Sequence, residues 1–339
     1  MQSRLLSFLE RAFPSRRNLH LSDLTKISGG WETDIYAFTL EYEEAQEARR
    51  EELILRIFPG DRALDKASKE FRAMKLLHEA GYPVPQVFWL ETDAATLGQP
   101  FIMMEKVNGR LLSPAFSKAS EEERSKLLNL FCRLYVQLHA LDWRPFVQDD
   151  PLYKAAEPRQ VISHKLDWME SFVRSVSGAA YDPLFSWLRE RGADIRWERL
   201  CVTHGDYHGF NILLRTDGRA FVLDWGQVEV SDLRFDLAWT LLLSSTYGNP
   251  VARDMILEEY KRLAPYPVEQ IEYFEAWAAM RRLWSIAASI GGGAQKLGMR
   301  PGAENVMKQN KAHLQTVRDL LYARTGIRIA EIENLLANL

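Results

Sequence analysis

With 339 residues the chain is longer than one compact core of ordinary size, so it should form one large domain or two lobes. Hydrophobic residues make up 47% and charged residues 26%, an ordinary globular balance, and a net charge of −3 gives neither the basic field of a nucleic-acid binder nor a strong acidic field. No apolar run approaches a membrane span, and Cys132 and Cys201 lie in apolar stretches without paired spacing, as thiols of a reducing compartment do.

The N-terminal "MQSRLLSFLERAFPSRR" carries Glu10 among its apolar residues and no small-residue cleavage site. It reads as a short amphipathic helix over 1–13 rather than a signal peptide, and the expected location is cytoplasmic. "ISGGWET" sets two glycines at the mouth of a strand. "DIYAFTLEYE" (34–43) and "ELILRIF" (52–58) read as strands joined by a charged hairpin loop. In "DKASKEFRAMKLLHEAG" (65–81), Ala67, Phe71, Met74 and Leu77 or His78 recur at helical steps and Gly81 supplies a stop. "YPVPQVFWLE" and "QPFIMMEKV" read as two further strands, and "NGR" (108–110) breaks the pattern.

After residue 111 the character is helical. "EEERSKLLNLFCRLYVQLHAL" (121–141) has acidic residues in its first turn, where the helix dipole favours them. Segments near 161–178, 232–246, 267–290 and 303–323 follow the same period. Only "NILLRTDGRAFVLDW" (211–225) interrupts them, as a hairpin with Asp217-Gly218 at its turn. "SIGGGAQKLG" (289–298) is too glycine-rich to continue a helix and reads as a break or a mobile loop facing substrate. The fold class is α+β, a small sheet-rich lobe followed by a larger helical one.

"THGDYHGFNILL" (203–214) gathers His204, Asp206, His208 and Asn211 in one loop. A two-metal hydrolase would need further ligands downstream, and only His313 follows His208 as a histidine. The protein-kinase-like design for phosphoryl transfer uses an Asp that accepts the hydroxyl proton, an Asn five positions later, and a second Asp, the last two on Mg²⁺. Asp206, Asn211 and Asp224 have that spacing, and the intervening hairpin lets Asn211 and Asp224 meet one ion. The amide and carboxylate oxygens suit Mg²⁺. His204 is expected to be structural, and Asp236 to pin the backbone of this loop. His208 either faces the phosphates or acceptor, or braces the loop.

"HGDYHGFN" followed by "VLDWG" resembles the active-site signature of the aminoglycoside phosphotransferase-like kinases, which include antibiotic kinases and choline-kinase-like relatives. The resemblance extends over most of the chain. "ISGGWETDIYAF" resembles the family's nucleotide loop and "LILRIF" its third strand. "KEFRAMKLLHEAGYPVPQV" is similar to the helix after it, "FIMMEKVNG" to the hinge, and "SDLRFDLAWTL" to the helix after the metal Asp. The far C-terminal helices carry no matching motif.

The resemblance implies a protein-kinase-like two-lobe fold. Residues 1–104 would form a small antiparallel-sheet nucleotide-binding lobe, 105–110 a hinge, and 111–339 a mainly helical catalytic and substrate lobe. Asp206 would position and deprotonate the acceptor hydroxyl, and Asn211 and Asp224 would hold Mg²⁺ on the nucleotide phosphates. Gly29 and Gly30 would lie in the nucleotide loop. Met104 and Lys106 would meet the adenine edge through backbone C=O and N–H, and Glu70 would pair with Arg56, which touches the phosphates. Arg56 stands where lysine is commoner, and Thr33 where antibiotic kinases often have Asn. The implied co-substrate is ATP or another purine nucleoside triphosphate.

The implied function is transfer of the γ-phosphoryl group to a hydroxyl of a small molecule: an antibiotic, an amino alcohol or a sugar-like metabolite. No nucleic acid or membrane partner is expected. Residues 112–339 hold 28 Lys and Arg against 29 Asp and Glu, so the lobe as a whole has no acidic excess for a polycationic acceptor. Trp143, Trp168, Trp187, Trp239, Trp277 and Trp284 could line a less polar pocket, though core packing is their simpler role. The alternative is a nucleotide-binding scaffold of the same fold without turnover; retention of Asp206, Asn211 and Asp224 favours the enzyme. A protein kinase is disfavoured because "SDLRFDLAW" follows Asp224 almost at once and leaves little surface for docking a peptide.

Overall fold

The computed structural model describes residues 1–27, 33–148, 150–154, 157–197, 199–248, 250–293 and 311–339. The elements are, in chain order, α1 (Gln2–Ala12), β1 (Arg17–Ile27), β2 (Asp34–Glu44), β3 (Glu47–Ile57), α2 (Ala63–Glu79), β4 (Val87–Glu91), α3 (Ala94–Leu97), β5 (Phe101–Glu105) and β6 (Arg110–Leu111). Then come α4 (Leu112–Lys118), α5 (Glu121–Ala140), α6 (Arg144–Val147), α7 (Pro151–Lys154), α8 (Pro158–Ser177), α9 (Asp182–Gly192), β7 (Cys201–Thr203), β8 (Ile212–Leu214) and β9 (Ala220–Val222). β10 (Glu229–Ser231), α10 (Leu233–Leu243), α11 (Pro250–Leu263), α12 (Ile271–Ala288) and two helices, Lys311–Thr325 and Ala330–Asn338, complete the order. The chain divides into two compact units, Met1–Arg110 with Ile212–Gly226, and Leu111–Asn211 with Gln227–Leu339.

In the first unit β1–β5 form an antiparallel sheet of order β1-β2-β3-β5-β4. Alternation on β3 turns Leu53, Leu55 and Ile57 to one face, where Leu5, Phe8 and Leu9 of α1 join them in a core with Phe38, Leu40 and Phe101. The spacing 5, 8, 9 is the apolar stripe of an amphipathic helix. Arg56 therefore points to the opposite face, towards α2. The charged segment 44–51 is not a loop: β2 and β3 run through it, to a turn at Ala45 and Gln46, both with positive φ. Charge does not end a strand whose side chains face water, and Arg50 and Glu41 pair across it at 3.5 Å. β1 had no distinct signal, because its residues are mostly exposed. The hairpin β8–β9 pairs Ile212 with Val222, with Gly218 at its turn (φ +83°), and is tied to this unit by Val222 N–H on Pro83 O (2.8 Å).

The second unit is built around two helices that are buried on nearly every side. On α10 every residue from Leu233 to Leu242 is buried, and α12 is buried along most of its length. Asp232 caps α10 by accepting the Arg234 N–H (2.9 Å), and Ser120 with Glu123 closes a capping box on α5. A short antiparallel pair, β7 with β10, runs among the helices, where the sequence suggested no strand. Three-residue strands lack a readable period. Cys132 and Cys201 are free and buried. Of the glycine-rich stretch 289–298, Ser289–Gly293 is a π-helical turn continuing α12, and 294–298 lie outside the described residues. No helix among the described residues is long and apolar enough to cross a membrane.

Candidate active site

The loop after β7 is held from below by one buried carboxylate. Asp236, on α10 and 2% exposed, accepts the His204 N–H at Oδ2 and the Gly205 N–H at Oδ1, both at 2.7 Å. His139 of α5 meets Oδ2 through Nε2 at 3.3 Å, and its Nδ1 is 2.6 Å from the Tyr260 hydroxyl. Burial pushes the Asp236 carboxyl up, but the His139 hydrogen bond, the two imidazoles and the His204 N–H outweigh it and hold the group below its ordinary range. Gly205 has φ +81°, and a Cβ there would stand 2.7 Å from Gln227 O, so the turn admits no side chain. Tyr207 anchors the loop's far side. Its ring stacks on Tyr135 at 3.9 Å, its hydroxyl donates to Phe131 O (2.8 Å), and its carbonyl accepts from Thr240 Oγ1 (2.8 Å).

Asp206 is oriented by three residues. Trp239 donates its indole N–H to Oδ1 at 2.8 Å, and His208 Nε2 lies 3.4 Å from Oδ2. The Asp206 N–H donates to His204 Nδ1 (3.2 Å). Burial raises the Asp206 carboxyl, yet His208, Trp239 and the nearby His204 together bring it down to about 2. Asn211 donates Nδ2 to Asp206 O at 3.0 Å, and its Oδ1 accepts no hydrogen bond among the described residues. His204 is fully buried.

The first unit brings Arg56, Glu70 and Asp224 together. Arg56 Nη1 is 2.8 Å from Glu70 Oε1, and Nη2 is 2.9 Å from Asp224 Oδ1. Glu70 is 1% exposed and Asp224 47%. Asp224 has φ +67°, a left-handed conformation that Asp adopts more readily than most residues. Met104 is buried in β5, between β3 and β4. The Lys106 N–H, which the resemblance assigns to the adenine edge, donates instead to Glu52 O (3.1 Å), and Lys106 Nζ pairs with Glu52 (2.8 Å). Gly29 and Gly30 lie outside the described residues.

Asn211 immediately precedes β8 in the chain, and Asp224 follows β9 by two residues. An amide oxygen and a carboxylate are hard donors, few in number, which is the protein ligand set Mg²⁺ takes. The donor chemistry fits that ion.

Sequence reasoning missed His139 and Arg281 and gave Trp239 no specific role. Arg281, on α12, lies with its guanidinium carbon 4.2 Å above the Trp239 ring and donates Nη1 to Gly205 O at 3.3 Å. Its signal was available: "AWAAMRRLWS" places two cations inside an otherwise uncharged stretch. His139 gave no such signal, since its partners lie 97 and 121 positions away in sequence.

The profile of the phosphotransferase enzyme family matches residues 23–283. Among curated proteins, the chain is 27% identical over 237 residues to acyl-CoA dehydrogenase family member 10 of Mus musculus, covering 67% of this chain and 21% of that protein. It is 30% identical over 211 residues to family member 11 of the same species, covering 60% and 26%. The chain thus spans about a quarter or less of the length of these relatives. Among solved structures it resembles a candidate aminoglycoside phosphotransferase of Ralstonia eutropha (17% identity, TM-score 0.65, 98% of both chains). It also resembles ADP-bound aminoglycoside phosphotransferase APH(2″)-Ib (16% identity, TM-score 0.61, 95% and 99%). At such identities the likeness establishes the fold: α+β and protein-kinase-like, with a small antiparallel sheet and a larger, mainly helical part.

Proposed function

The chain belongs to the phosphotransferase enzyme family, and on that premise we propose that it is a Mg²⁺-dependent kinase moving the γ-phosphoryl group of ATP, or another purine nucleoside triphosphate, to a hydroxyl of a small molecule. The observation that carries this reading is Asp206, held ionised by Trp239 and His208 in a loop whose backbone is fixed by Asp236. A carboxyl near 2 is a weak base for an alcohol. Its contribution is to orient the hydroxyl and to take the proton late, as the phosphoryl bond forms. In this reading Arg56, steadied by Glu70, meets the phosphates, and Met104 contacts the nucleotide through its backbone. Lys106 does so only by exchanging its bond to Glu52. Mg²⁺, held by Asn211 and Asp224, would neutralise charge on the phosphates. The first unit then serves as the nucleotide lobe and the second as the catalytic and substrate lobe.

The test is ADP release from Mg²⁺–ATP across a panel of antibiotics, amino alcohols and sugars. Asp206→Asn should bind nucleotide normally and lose at least ~10³-fold in acceptor-dependent turnover. Unchanged turnover in that variant removes the assignment of Asp206. Nucleotide binding without turnover on any acceptor supports the scaffold reading.

A further inference from the structure

Within the second unit the groups around Asp206 carry information about the acceptor's charge. Trp239 contacts two of them: its N–H holds the Asp206 carboxylate and its face carries the Arg281 guanidinium. The Gly205 carbonyl, one residue before Asp206, takes Nη1 of the same guanidinium. The cation is thereby fixed relative to the carboxylate that faces the acceptor hydroxyl. Desolvation opposes the Arg281 charge, while Glu229, Asp206 and Asp236 favour it. Two of these carboxylates are engaged elsewhere. Glu229 pairs with Lys165, and Asp236 is filled by His139 and two backbone N–H groups. Among the described residues no carboxylate stands within ion-pair distance of Arg281, and its Nε and Nη2 donate no hydrogen bond.

Trp284, 4% exposed, packs edge-on against Phe172 at 5.3 Å, and Phe172 stacks on Trp168, which is 60% exposed. A polycation or a quaternary amine would meet repulsion from Arg281, and a neutral sugar would leave its free N–H groups without a charged partner. A dianionic phosphate would add repulsion from Asp206 beside it. A carboxylate matches the guanidinium fork with one charge.

We propose that Arg281 determines acceptor specificity, pairing with a carboxylate of the acceptor while that molecule's hydroxyl meets Asp206, so that the acceptor class is a hydroxy carboxylate. This rests on the phosphotransferase reading above. In the reaction the hydroxyl oxygen forms the new bond to the γ-phosphorus, the bond from that phosphorus to the β,γ-bridging oxygen breaks, the proton passes to Asp206, and ADP leaves.

The test uses the full chain with matched acceptors of equal length: ω-hydroxy carboxylates, their primary amides, and the corresponding amino alcohols. Binding to the Mg²⁺–nucleotide-loaded protein is followed by calorimetry, and turnover by ADP release, for wild type, Arg281→Gln, Arg281→Lys and Arg281→Glu. Wild type should favour the carboxylate over its amide by roughly ten- to a hundredfold, chiefly in KM. Arg281→Gln should erase that preference, Arg281→Lys should restore part of it, and Arg281→Glu should turn it towards the amine. A purely structural role for Arg281 would instead lower turnover on all three acceptors alike, and that result overturns the proposal. Equal binding of carboxylate and amide by wild type, or no carboxylate binding at all, also overturns it. Arg281-dependent carboxylate binding without ADP release supports the anion site while removing the kinase reading. Turnover of amines unaffected by Arg281→Gln does the reverse.

Discussion

Trp239 holds Asp206 from the side, its indole Nε1 donating to Oδ1 at 2.8 Å from a position 33 residues later in the chain. The bond fixes one carboxylate oxygen; the other lies 3.4 Å from His208 and, in the proposed function, is the one that meets the acceptor hydroxyl. Trp239→Phe keeps most of the packing and removes the donor. Turnover should fall by about tenfold or more, with nucleotide affinity unchanged, because a misaligned carboxylate weakens positioning rather than binding. Steady-state kinetics beside a nucleotide titration reads both quantities; an unchanged kcat shows that Trp239 is only packing.

Arg56 reaches two carboxylates with two nitrogens, Glu70 at 2.8 Å and Asp224 at 2.9 Å. A lysine ammonium is a point charge without the planar fork, so Arg56→Lys should retain the charge but hold the pair less rigidly. Nucleotide affinity should fall roughly threefold in Arg56→Lys and roughly tenfold or more in Arg56→Met. Fluorescent-nucleotide titration checks the order, and equal affinity in all three proteins would mean that Arg56 serves only to organise the first unit.

The part of this arrangement legible in the sequence was the part that is local. Asp206, Asn211 and the hairpin to Asp224 lie within nineteen consecutive residues, so spacing alone showed them as a set. Other residues around Asp206 come from elsewhere: Trp239, from α10, donates to its carboxylate, and Arg281, from α12, donates to the neighbouring Gly205 carbonyl. His139, from α5, acts on the loop through Asp236. In sequence a tryptophan in an apolar helix reads as core, and nothing marks that its N–H faces a carboxylate. The fold showed the same division. Long periodic helices and the β2 and β3 runs were readable, whereas β7 and β10, three residues each, depend on pairing across 30 positions. The charged end of the β2–β3 hairpin has the composition of a loop, and its strand character rests on cross-strand pairing that propensity ignores.

Asp236 gives the loop an acid-labile support. Its carboxyl lies below 3.8 in the folded protein, so its stabilisation is present above the unfolded value and is lost as pH falls through the folded one. In Asp236→Asn the amide NH₂ would face a backbone N–H or the His139 ring, both donors. At pH 7 the variant should lose about 3–5 kcal/mol of unfolding free energy, the cost of breaking a buried charged network from one side. The gap from wild type should narrow below pH 4. Denaturant titrations at pH 7 and pH 3 check this, and a gap independent of pH would show that the carboxylate's charge is not what supports the loop.

His313 sets a second, higher window. It is 6% exposed, accepts the Arg282 Nε–H at Nε2 (3.0 Å), and stacks on Tyr247 at 4.3 Å. Burial, with the Arg282 charge beside it, pushes the imidazole down to about 4 from 6.5. Between those values the unfolded chain takes up a proton that the folded site refuses, so the protein should lose stability as pH drops from 6.5 towards 4. The gap corresponds to about 3 kcal/mol. His313→Phe preserves the stack on Tyr247 and cannot titrate. Its unfolding free energy should start lower at pH 7, since Arg282 loses an acceptor, yet fall by about 3 kcal/mol less than wild type on going to pH 4. Urea unfolding of both proteins at pH 7, 5.5 and 4 measures the two slopes, and parallel slopes would show that His313 binds its proton as readily folded as unfolded.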